Sequence, residues 1–368
     1  MEFTIHHQIL TAVFVVAIVM GAVANKTNFC TMGAVSDWVN MGDTGRLRAW
    51  LLAMAIAMLG VAAMAGMGLA SIGNSTFPPY RTPNFAWLRY LLGGLMFGVG
   101  MTLASGCGNK TLVRVGGGNL KSLVVLAIAS ACAYLMLWTD FYGTVFNSWI
   151  AATTIDLGKS GMNSQAVSEF FGSGSGAQVA TGAVIGLALA GFAFASKDFR
   201  GSFDNILGGL VIGLAVVIGW YLTAGPMGAA WKEWAELADT VPSRVEVQSY
   251  TFISPMGDSV RYLTSLSFAN INFGITALVG VIAGSFLYAL LSGNFRIEWF
   301  ISGGDFLNHA VGAVLMGIGG VLSMGCTVGQ AITGVSTLAM GSILTFIAIV
   351  AGAAATMKFQ YWRMMKEA

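Results

Sequence analysis

Charged side chains are scarce in this sequence. Its 368 residues include 18 Lys or Arg and 16 Asp or Glu, together 9% of the chain, whereas 56% of the residues are hydrophobic. Soluble globular domains carry about 25% charged residues. So few charges cannot cover a chain of this length, which excludes an ordinary water-soluble protein. We therefore expect a lipid bilayer around much of the surface. The net charge of +2 gives no support to a nucleic-acid partner, and none is expected.

Signatures of metal sites, redox pairs and nucleotide binding are also missing. The chain has 4 cysteines, none of them in a CxxC pair, and its 3 histidines form no ligand cluster with them. We therefore expect free thiols, no metal and no cofactor. A GxxxxGK[ST] motif is absent from the sequence, which argues against ATP-driven transport by this chain alone. Only 6 prolines accompany 49 glycines, a balance that suits closely packed membrane helices.

Nine apolar runs are long enough to cross about 30 Å of hydrocarbon. The segment before the first run, Met1 to His7, has no Lys or Arg, so we interpret that run as a retained helix and not a signal peptide. The sequence predicts an all-α integral membrane protein, with about nine transmembrane helices in a single membrane domain. The runs lie at 8–25, 48–70, 87–106, 120–139, 176–196, 204–223, 269–292, 307–324 and 338–357.

Basic residues are unevenly distributed among the loops. If the N-terminus is outside, the inside loops hold 12 of the 18 Lys and Arg residues, as the positive-inside rule favours. Nine spans then predict a multi-pass membrane protein with its N-terminus outside and its C-terminus inside, which in a bacterial inner membrane are the periplasm and the cytoplasm. Two outside loops, 140–175 and 224–268, are long. Within the second, Trp231 to Leu237 predicts an interfacial amphipathic helix whose Trp residues belong to the aromatic belt.

An internal repeat is the most informative pattern. The chain reads GLMFGVGMTLASGCG from Gly94 and AVLMGIGGVLSMGCT from Ala313, with GxGxxxxxGC in common. A weaker similarity relates Cys30–Gly33 to Ser254–Gly257. Glycine spacing alone occurs in any helix bundle, but the repeated Gly-Cys does not follow from that. We predict two halves, residues 1–196 and 197–368, that are inverted in the membrane as in many transporters.

The two Gly-Cys elements predict broken or re-entrant helices, because each follows an apolar run and precedes small or polar residues. Helix N-termini exposed at such breaks suit an anion. A neutral thiol is a soft, weak donor that suits a sulfur-bearing anion. Lys110 and Arg114 could equally be anchors at the inner face, and Cys132, in mid-span, is expected to pack. The candidate anion contacts are Gly106, Gly108, Asn109, Lys110, Arg114, Gly325, Thr327 and Gln330.

Three segments together resemble the YeeE/YedE family of bacterial inner-membrane sulfur transporters. They are NFCTMGA from Asn28 with Asp37, Gly106-Cys107-Gly108, and MGCTVGQAITG from Met324 with STLA from Ser336. The resemblance implies an hourglass-shaped inverted-repeat fold and uptake of thiosulfate into the cytoplasm. It also implies that Cys30, Cys107 and Cys326 line the substrate pathway and pass thiosulfate by S–H···S hydrogen bonds. A small cytoplasmic sulfurtransferase of the TusA type is the implied partner.

Other functions remain open at this point. The family name also covers transporters of other sulfur or selenium species. A membrane-bound thiol or sulfur-transfer oxidoreductase would use the cysteines covalently, although such enzymes usually show a close cysteine pair in sequence. A scaffold or sensor is a third class. We expect a transporter and not an enzyme, and a comparison of substrate uptake with substrate turnover separates these two.

Overall fold

The computed structural model describes residues 4–172, 174–238 and 240–367. The chain is mainly helical, and one small antiparallel sheet pairs β1 (Asn84–Phe85) with β2 (Ile155–Asp156). The helices are α1 (Ile5–Lys26), α2 (Thr31–Ser36), α3 (Gly45–Gly66), α4 (Trp87–Leu103), α5 (Gly108–Gly116), α6 (Leu120–Trp138), α7 (Ser148–Ala152), α8 (Ser175–Phe194), α9 (Lys197–Gly201), α10 (Phe203–Ala224), α11 (Pro226–Glu236), α12 (Ile253–Ser265), α13 (Phe273–Leu291), α14 (Gly303–Leu322) and α15 (Met340–Glu367).

Nine helical stretches within the described residues are long and apolar enough to cross a membrane, which confirms the predicted number. Each corresponds to one predicted run. The last one is longer than the run 338–357, because α15 continues to Glu367. Its final turns contain Arg, Met, Lys and Glu, which are good helix formers. The helix therefore extends beyond its most apolar part.

Helices α4 and α14 cross with opposite chain directions through two reciprocal glycine contacts. A Cβ atom on Gly93 would lie 2.8 Å from the carbonyl oxygen of Gly319, and one on Gly100 would lie 2.7 Å from that of Gly312. In the repeat alignment, Gly93 corresponds to Gly312 and Gly100 corresponds to Gly319. Exchanging the two halves therefore converts one of these contacts into the other. Such self-complementary contact is the signature of a two-fold axis.

Other helix pairs show the same exchange. The contact of α1 with α13 in one half corresponds to the contact of α10 with α3 when the halves are exchanged. In the same way, the contact of α4 with α15 corresponds to the contact of α14 with α6. Helix α5 packs on α13, and the wide-turn helical segment Val328–Gly334 packs on α3. These relations support an inverted duplication, whereas the division at residue 196 stays a prediction.

All three candidate pathway cysteines follow a break of the same shape. Asn28, Ser105 and Met324 each lie two residues before a cysteine, and their φ angles are 54°, 57° and 63°. A residue in this left-handed region ends the preceding helix. The chain then turns, and a new helical segment begins just after the cysteine. The predicted breaks at Gly-Cys are therefore present, and Cys30 has one as well.

The long segment 224–268 differs from the predicted outside loop. Its first helix, α11, includes the predicted Trp231, but the interpretation of Trp231 as a belt residue is wrong. Trp231 is buried, and its Nε1–H donates to Nδ1 of His6 over 3.0 Å, because α11 folds back onto α1. Farther along, residues Ile253–Asp258 of α12 are also buried. This segment thus contributes to the protein interior.

The other long segment, 140–175, also reaches inward. Ser164, Gln165 and Ala166 are buried, and the carbonyl of Gln165 accepts a hydrogen bond from the N–H of Met340 over 2.9 Å. This contact ties the segment to the start of α15. Within this segment, Ser173 lies outside the described residues.

Candidate functional site

The fold brings the three candidate pathway thiols into one buried cluster. Cys30 is 3% exposed, and Cys107 and Cys326 are fully buried. The side chains of Cys30 and Cys107 lie close to each other. Gly108, directly after Cys107, faces Cys326, since a Cβ atom on this glycine would lie 3.6 Å from the Cys326 Cβ. The thiols are therefore arranged in the order Cys30, Cys107, Cys326.

Each sulfur lies at the start of a helical segment, close to a backbone N–H three residues later. The N–H of Gly33 donates to the Cys30 sulfur over 3.4 Å. The N–H of Lys110 approaches the Cys107 sulfur, and that of Gly329 approaches the Cys326 sulfur. Three sequence-distant segments therefore present a thiol and a helix N-terminus together, an arrangement suited to negative charge.

Several hydroxyl groups surround the thiols. Thr327 lies beside the Cys107 thiol, and Thr251 lies beside the Cys326 thiol. Thr31, directly after Cys30, is also buried. Among the residues that the structure describes, none of these three hydroxyl oxygens has a partner in full hydrogen-bond geometry. Buried polar groups are normally paired, so these hydroxyls have capacity for a ligand or water.

Two buried amides flank the cluster. Asn109 is fully buried on the first turn of α5, and neither of its amide atoms meets a hydrogen-bond partner within the described chain. Gln330 is also fully buried, and its Nε2 donates to the carbonyl of Ser323. Of the two, Asn109 is therefore the predicted site residue with the most unused hydrogen-bonding capacity.

Basic side chains concentrate on the Cys30 side of the cluster. Lys110 is half-buried and donates to the side chain of Asn28, and Arg114 donates to the carbonyl of Ser105 over 2.6 Å. Arg46, which pairs with Asp37, lies against Gly33. A cavity of about 210 Å³ is lined by the cations Lys110, Arg114 and Arg296, together with Glu298 and uncharged residues. This side of the cluster is thus electropositive.

Gly106 and Gly325 occupy equivalent positions just before Cys107 and Cys326. The N–H of Gly106 donates to the carbonyl of Met101 over 2.9 Å, and that of Gly325 donates to Gly320 over 2.8 Å. These two N–H groups therefore satisfy carbonyl groups near the C-terminal ends of α4 and α14.

The remaining cysteine, Cys132, lies apart from the cluster on α6. It packs against α14, where a Cβ atom on Gly317 would lie 2.6 Å from the Cys132 Cβ. The predicted packing role of Cys132 agrees with this contact.

The sequence prediction missed several residues next to the thiols. Tyr80 lies in the loop between α3 and α4, and Thr251 and Met256 come from the segment before and within α12. Met256 contacts Gly108, since its methyl group lies 3.6 Å from a Cβ position there. The similarity of Ser254–Gly257 to Cys30–Gly33 was the available signal for α12, whereas nothing in the sequence pattern indicated Tyr80.

Comparison with known proteins identifies the family of this chain. A profile of the family described as "Sulphur transport" matches residues 26–355, a range that includes all three clustered thiols. The chain belongs to the sulphur transport family. This membership makes it a multi-pass membrane transporter by class, as the nine apolar helices also indicate.

Two relatives of this chain share one name with each other. The thiosulfate transporter TsuA of Escherichia coli (strain K12) is 24% identical over 328 residues, which cover 84% of this chain and 83% of that protein. The thiosulfate transporter TsuA of Spirochaeta thermophila is 23% identical over 360 residues, covering 92% and 94% respectively. Both similarities extend over most of each chain.

Proposed function

We propose that this chain carries thiosulfate, a sulfur-containing anion, across the bacterial inner membrane into the cytoplasm. The observation that supports this most is the buried order of Cys30, Cys107 and Cys326, each beside a backbone N–H at a helix start. Both TsuA relatives are named as thiosulfate transporters. A pathway lined by thiols suits a substrate with a terminal sulfur, because a thiol is a soft partner.

Transport then proceeds by successive weak contacts. The terminal sulfur accepts an S–H hydrogen bond from Cys326, then from Cys107, then from Cys30. Thr327, beside Cys107, provides a hydroxyl between the first two steps. Charge inside a bilayer is expensive, and the nearby N–H groups offset part of this cost. Lys110 and Arg114 then attract the anion towards the cavity on the Cys30 side.

Direction follows from the proposed topology. With the N-terminus outside, the electropositive cavity faces the cytoplasm and the Cys326 side faces the periplasm. Reporter fusions after Lys159 and after Lys366 test this. We expect a periplasmic reporter to be active at the first position and a cytoplasmic reporter at the second. Periplasmic activity after Lys366 contradicts the topology.

A transport assay tests the function itself. Purified protein is reconstituted into liposomes, and uptake of radiolabelled thiosulfate is followed with sulfate, sulfite and selenium oxyanions as competitors. We expect thiosulfate to accumulate and to compete best. Empty liposomes and liposomes with Cys107→Ala protein are the controls. If wild-type protein transports another of these anions and excludes thiosulfate, the proposed substrate is wrong.

A sulfur-transfer enzyme is the second candidate, and the contact between Cys30 and Cys107 favours it. A thiolate would attack the outer sulfur of thiosulfate, forming a protein persulfide and releasing sulfite. The electrons balance, because the S–S bond of thiosulfate is exchanged for a new S–S bond. Sulfite release by purified protein tests this. We expect transport without sulfite, whereas one sulfite per protein on the first turnover favours the enzyme.

A small cytoplasmic sulfurtransferase of the TusA type is the proposed recipient. Its docking surface is a groove of about 730 Å³ between α2, α4 and the end of α15. Met32 and Ser36 of α2 line this groove, and α2 begins directly after Cys30. A Ser36→Arg substitution should weaken co-purification with the sulfurtransferase. Gly201→Arg, at an exposed position outside the spans with open space around a Cβ atom among the described residues, tests for general damage.

A further inference from the structure

Two buried hydroxyl groups, those of Tyr80 and Thr251, lie near Cys326. Tyr80 is 1% exposed and Thr251 is 5% exposed. Within the described part of the chain, neither hydroxyl oxygen has a partner in full hydrogen-bond geometry. Leaving a buried hydroxyl unpaired destabilises a protein by about 1–3 kcal/mol. The two hydroxyls lie beside each other, and because neither is fully paired, together they mark a position where a ligand or water can bind.

The two hydroxyls converge on one backbone position near the Cys326 sulfur. A Cβ atom built on Gly329 would lie 3.3 Å from the Tyr80 Oη and 2.9 Å from the Thr251 Cβ. Thr251 in turn lies beside the Cys326 side chain. Glycine at position 329 therefore leaves room for both hydroxyl-bearing side chains next to the thiol.

Both side chains are held firmly by the segments that carry them. The N–H of Tyr80 donates to the carbonyl of Pro78 over 2.8 Å, and its ring packs against Gly334. On the other segment, the carbonyl of Tyr250, next to Thr251, accepts a hydrogen bond from Thr333 over 2.6 Å. Rigid support of this kind is what a binding group needs.

The chemistry of the pair complements that of the thiol. Burial raises the pKa of Tyr80 well above its usual range, so its hydroxyl stays protonated and can donate. Hydroxyl donors suit the hard oxygen atoms of an oxyanion, whereas the thiol suits a terminal sulfur. A substrate with both kinds of atom satisfies the two sets of groups at once.

We infer that Tyr80 and Thr251 are specificity-determining residues that donate hydrogen bonds to the oxygen atoms of a sulfur oxyanion while its terminal sulfur contacts Cys326. This inference rests on the proposed function. It adds a second, oxygen-recognising part to the site. Hydrosulfide, which has no oxygen, would gain nothing from the hydroxyls. Sulfate, which has no terminal sulfur, would gain nothing from the thiol.

The test uses Tyr80→Phe and Thr251→Val, which remove the hydroxyls with little change of shape. Calorimetry on purified protein measures thiosulfate affinity, and competition measures hydrosulfide binding. Tyr90→Phe is the matched control, because Tyr90 is a buried tyrosine whose hydroxyl is already paired with Gln165 over 2.9 Å. We expect each test variant to weaken thiosulfate binding about tenfold, since a hydrogen bond to a charged group is of that order. Hydrosulfide competition and Tyr90→Phe binding should stay within about twofold of wild type.

Unchanged thiosulfate affinity in folded Tyr80→Phe and Thr251→Val proteins overturns the inference. An equal loss for thiosulfate and hydrosulfide also overturns it, because that pattern indicates a structural role. If wild-type protein binds sulfite or sulfate but no thiosulfate, the proposed substrate fails, and the hydroxyl pair is then tested with the anion that binds. A wild-type protein that binds none of these oxyanions rejects both proposals.

Discussion

Arg244 binds Asp258 through two parallel hydrogen bonds, Nε to Oδ2 over 2.6 Å and Nη2 to Oδ1 over 2.8 Å. Asp258 is 3% exposed and also accepts hydrogen bonds from Trp138 and Asn272. The carboxylate thus joins α12, which begins near Cys326, to α6 and α13. On the other side of the thiol cluster, Asp37 pairs with Arg46 in a second two-bond arrangement. Each pair fixes a segment that starts near a thiol.

Asp258→Asn should destabilise the protein strongly. Removal of one partner from a buried ion pair leaves the other charge uncompensated, and such losses are about 3–5 kcal/mol. Because Arg244 keeps some contact with solvent, we expect the lower end of that range. Thermal unfolding in detergent, followed by tryptophan fluorescence, measures the change.

Asp140→Asn is the control for the Asp258 variant, since Asp140 is exposed. The double variant Asp258→Asn with Arg244→Met should recover part of the lost stability, because it removes the unpaired cation. A melting temperature equal to wild type in the single variant would show that the pair does not hold α12.

Gly100→Ala should weaken the crossing of α4 and α14. The new methyl carbon would lie 2.7 Å from both the Gly312 carbonyl oxygen and the Met316 nitrogen, which is too close for a carbon atom that is not bonded to either. Forcing extra volume into a packed interior typically destabilises by about 1–3 kcal/mol. The melting temperature and the yield of monodisperse protein should both fall.

Gly191→Ala on α8 is the matched glycine control. Among the described residues, nothing lies within 4 Å of a Cβ atom at that position. Alanine also favours a helix more than glycine by up to about 1 kcal/mol. We expect equal or higher stability there. If the Gly100→Ala protein is as stable as the Gly191→Ala protein, α4 and α14 can move apart without loss of stability, and the prediction is wrong.

The nine spans could be predicted because hydrocarbon thickness imposes a length that a sequence displays directly. The repeated Gly-Cys elements likewise located the breaks at Cys107 and Cys326. The shared left-handed turn was not predictable, because Ser105 and Met324 are residue types that seldom adopt positive φ. A glycine at those positions would have provided a signal.

Residues that join the site through loops were beyond the sequence patterns. Tyr80 lies in a segment without hydrophobic periodicity, and only its tertiary contacts with Gly329 and Gly334 place it near the site. Trp231 illustrates a different difficulty. An amphipathic helix has the same sequence pattern whether its apolar face meets lipid or another helix, and here that face meets α1.

Cys107→Ala should abolish transport, because Cys107 lies between Cys30 and Cys326 in the cluster. Cys30→Ala and Cys326→Ala, at its two ends, should each reduce uptake. Cys107→Ser should restore little, since a hydroxyl is a harder partner for a terminal sulfur. Thiosulfate uptake into liposomes measures all four variants.

Cys132→Ala is the control for the thiol series, because this thiol packs away from the cluster against Gly317. Its uptake should match wild type. Each variant is first checked for correct insertion and monodispersity. Normal uptake by a folded Cys107→Ala protein would reject the relay of thiol contacts.

The affinity for thiosulfate should be micromolar, corresponding to about −8 kcal/mol or weaker. The groups that surround the thiols are neutral hydroxyls, amides and backbone N–H groups, whereas Lys110 and Arg114 lie on one side and already have protein partners. A transport site must bind well enough to admit the ion and weakly enough to release it. A dianion held by two fixed, buried cations would leave too slowly. Calorimetry on purified, reduced protein measures the dissociation constant, with Cys132→Ala as the control. Simultaneous Cys107→Ala and Cys326→Ala substitutions should weaken binding further. A nanomolar constant, or one unchanged in the double variant, would reject binding by several weak neutral contacts.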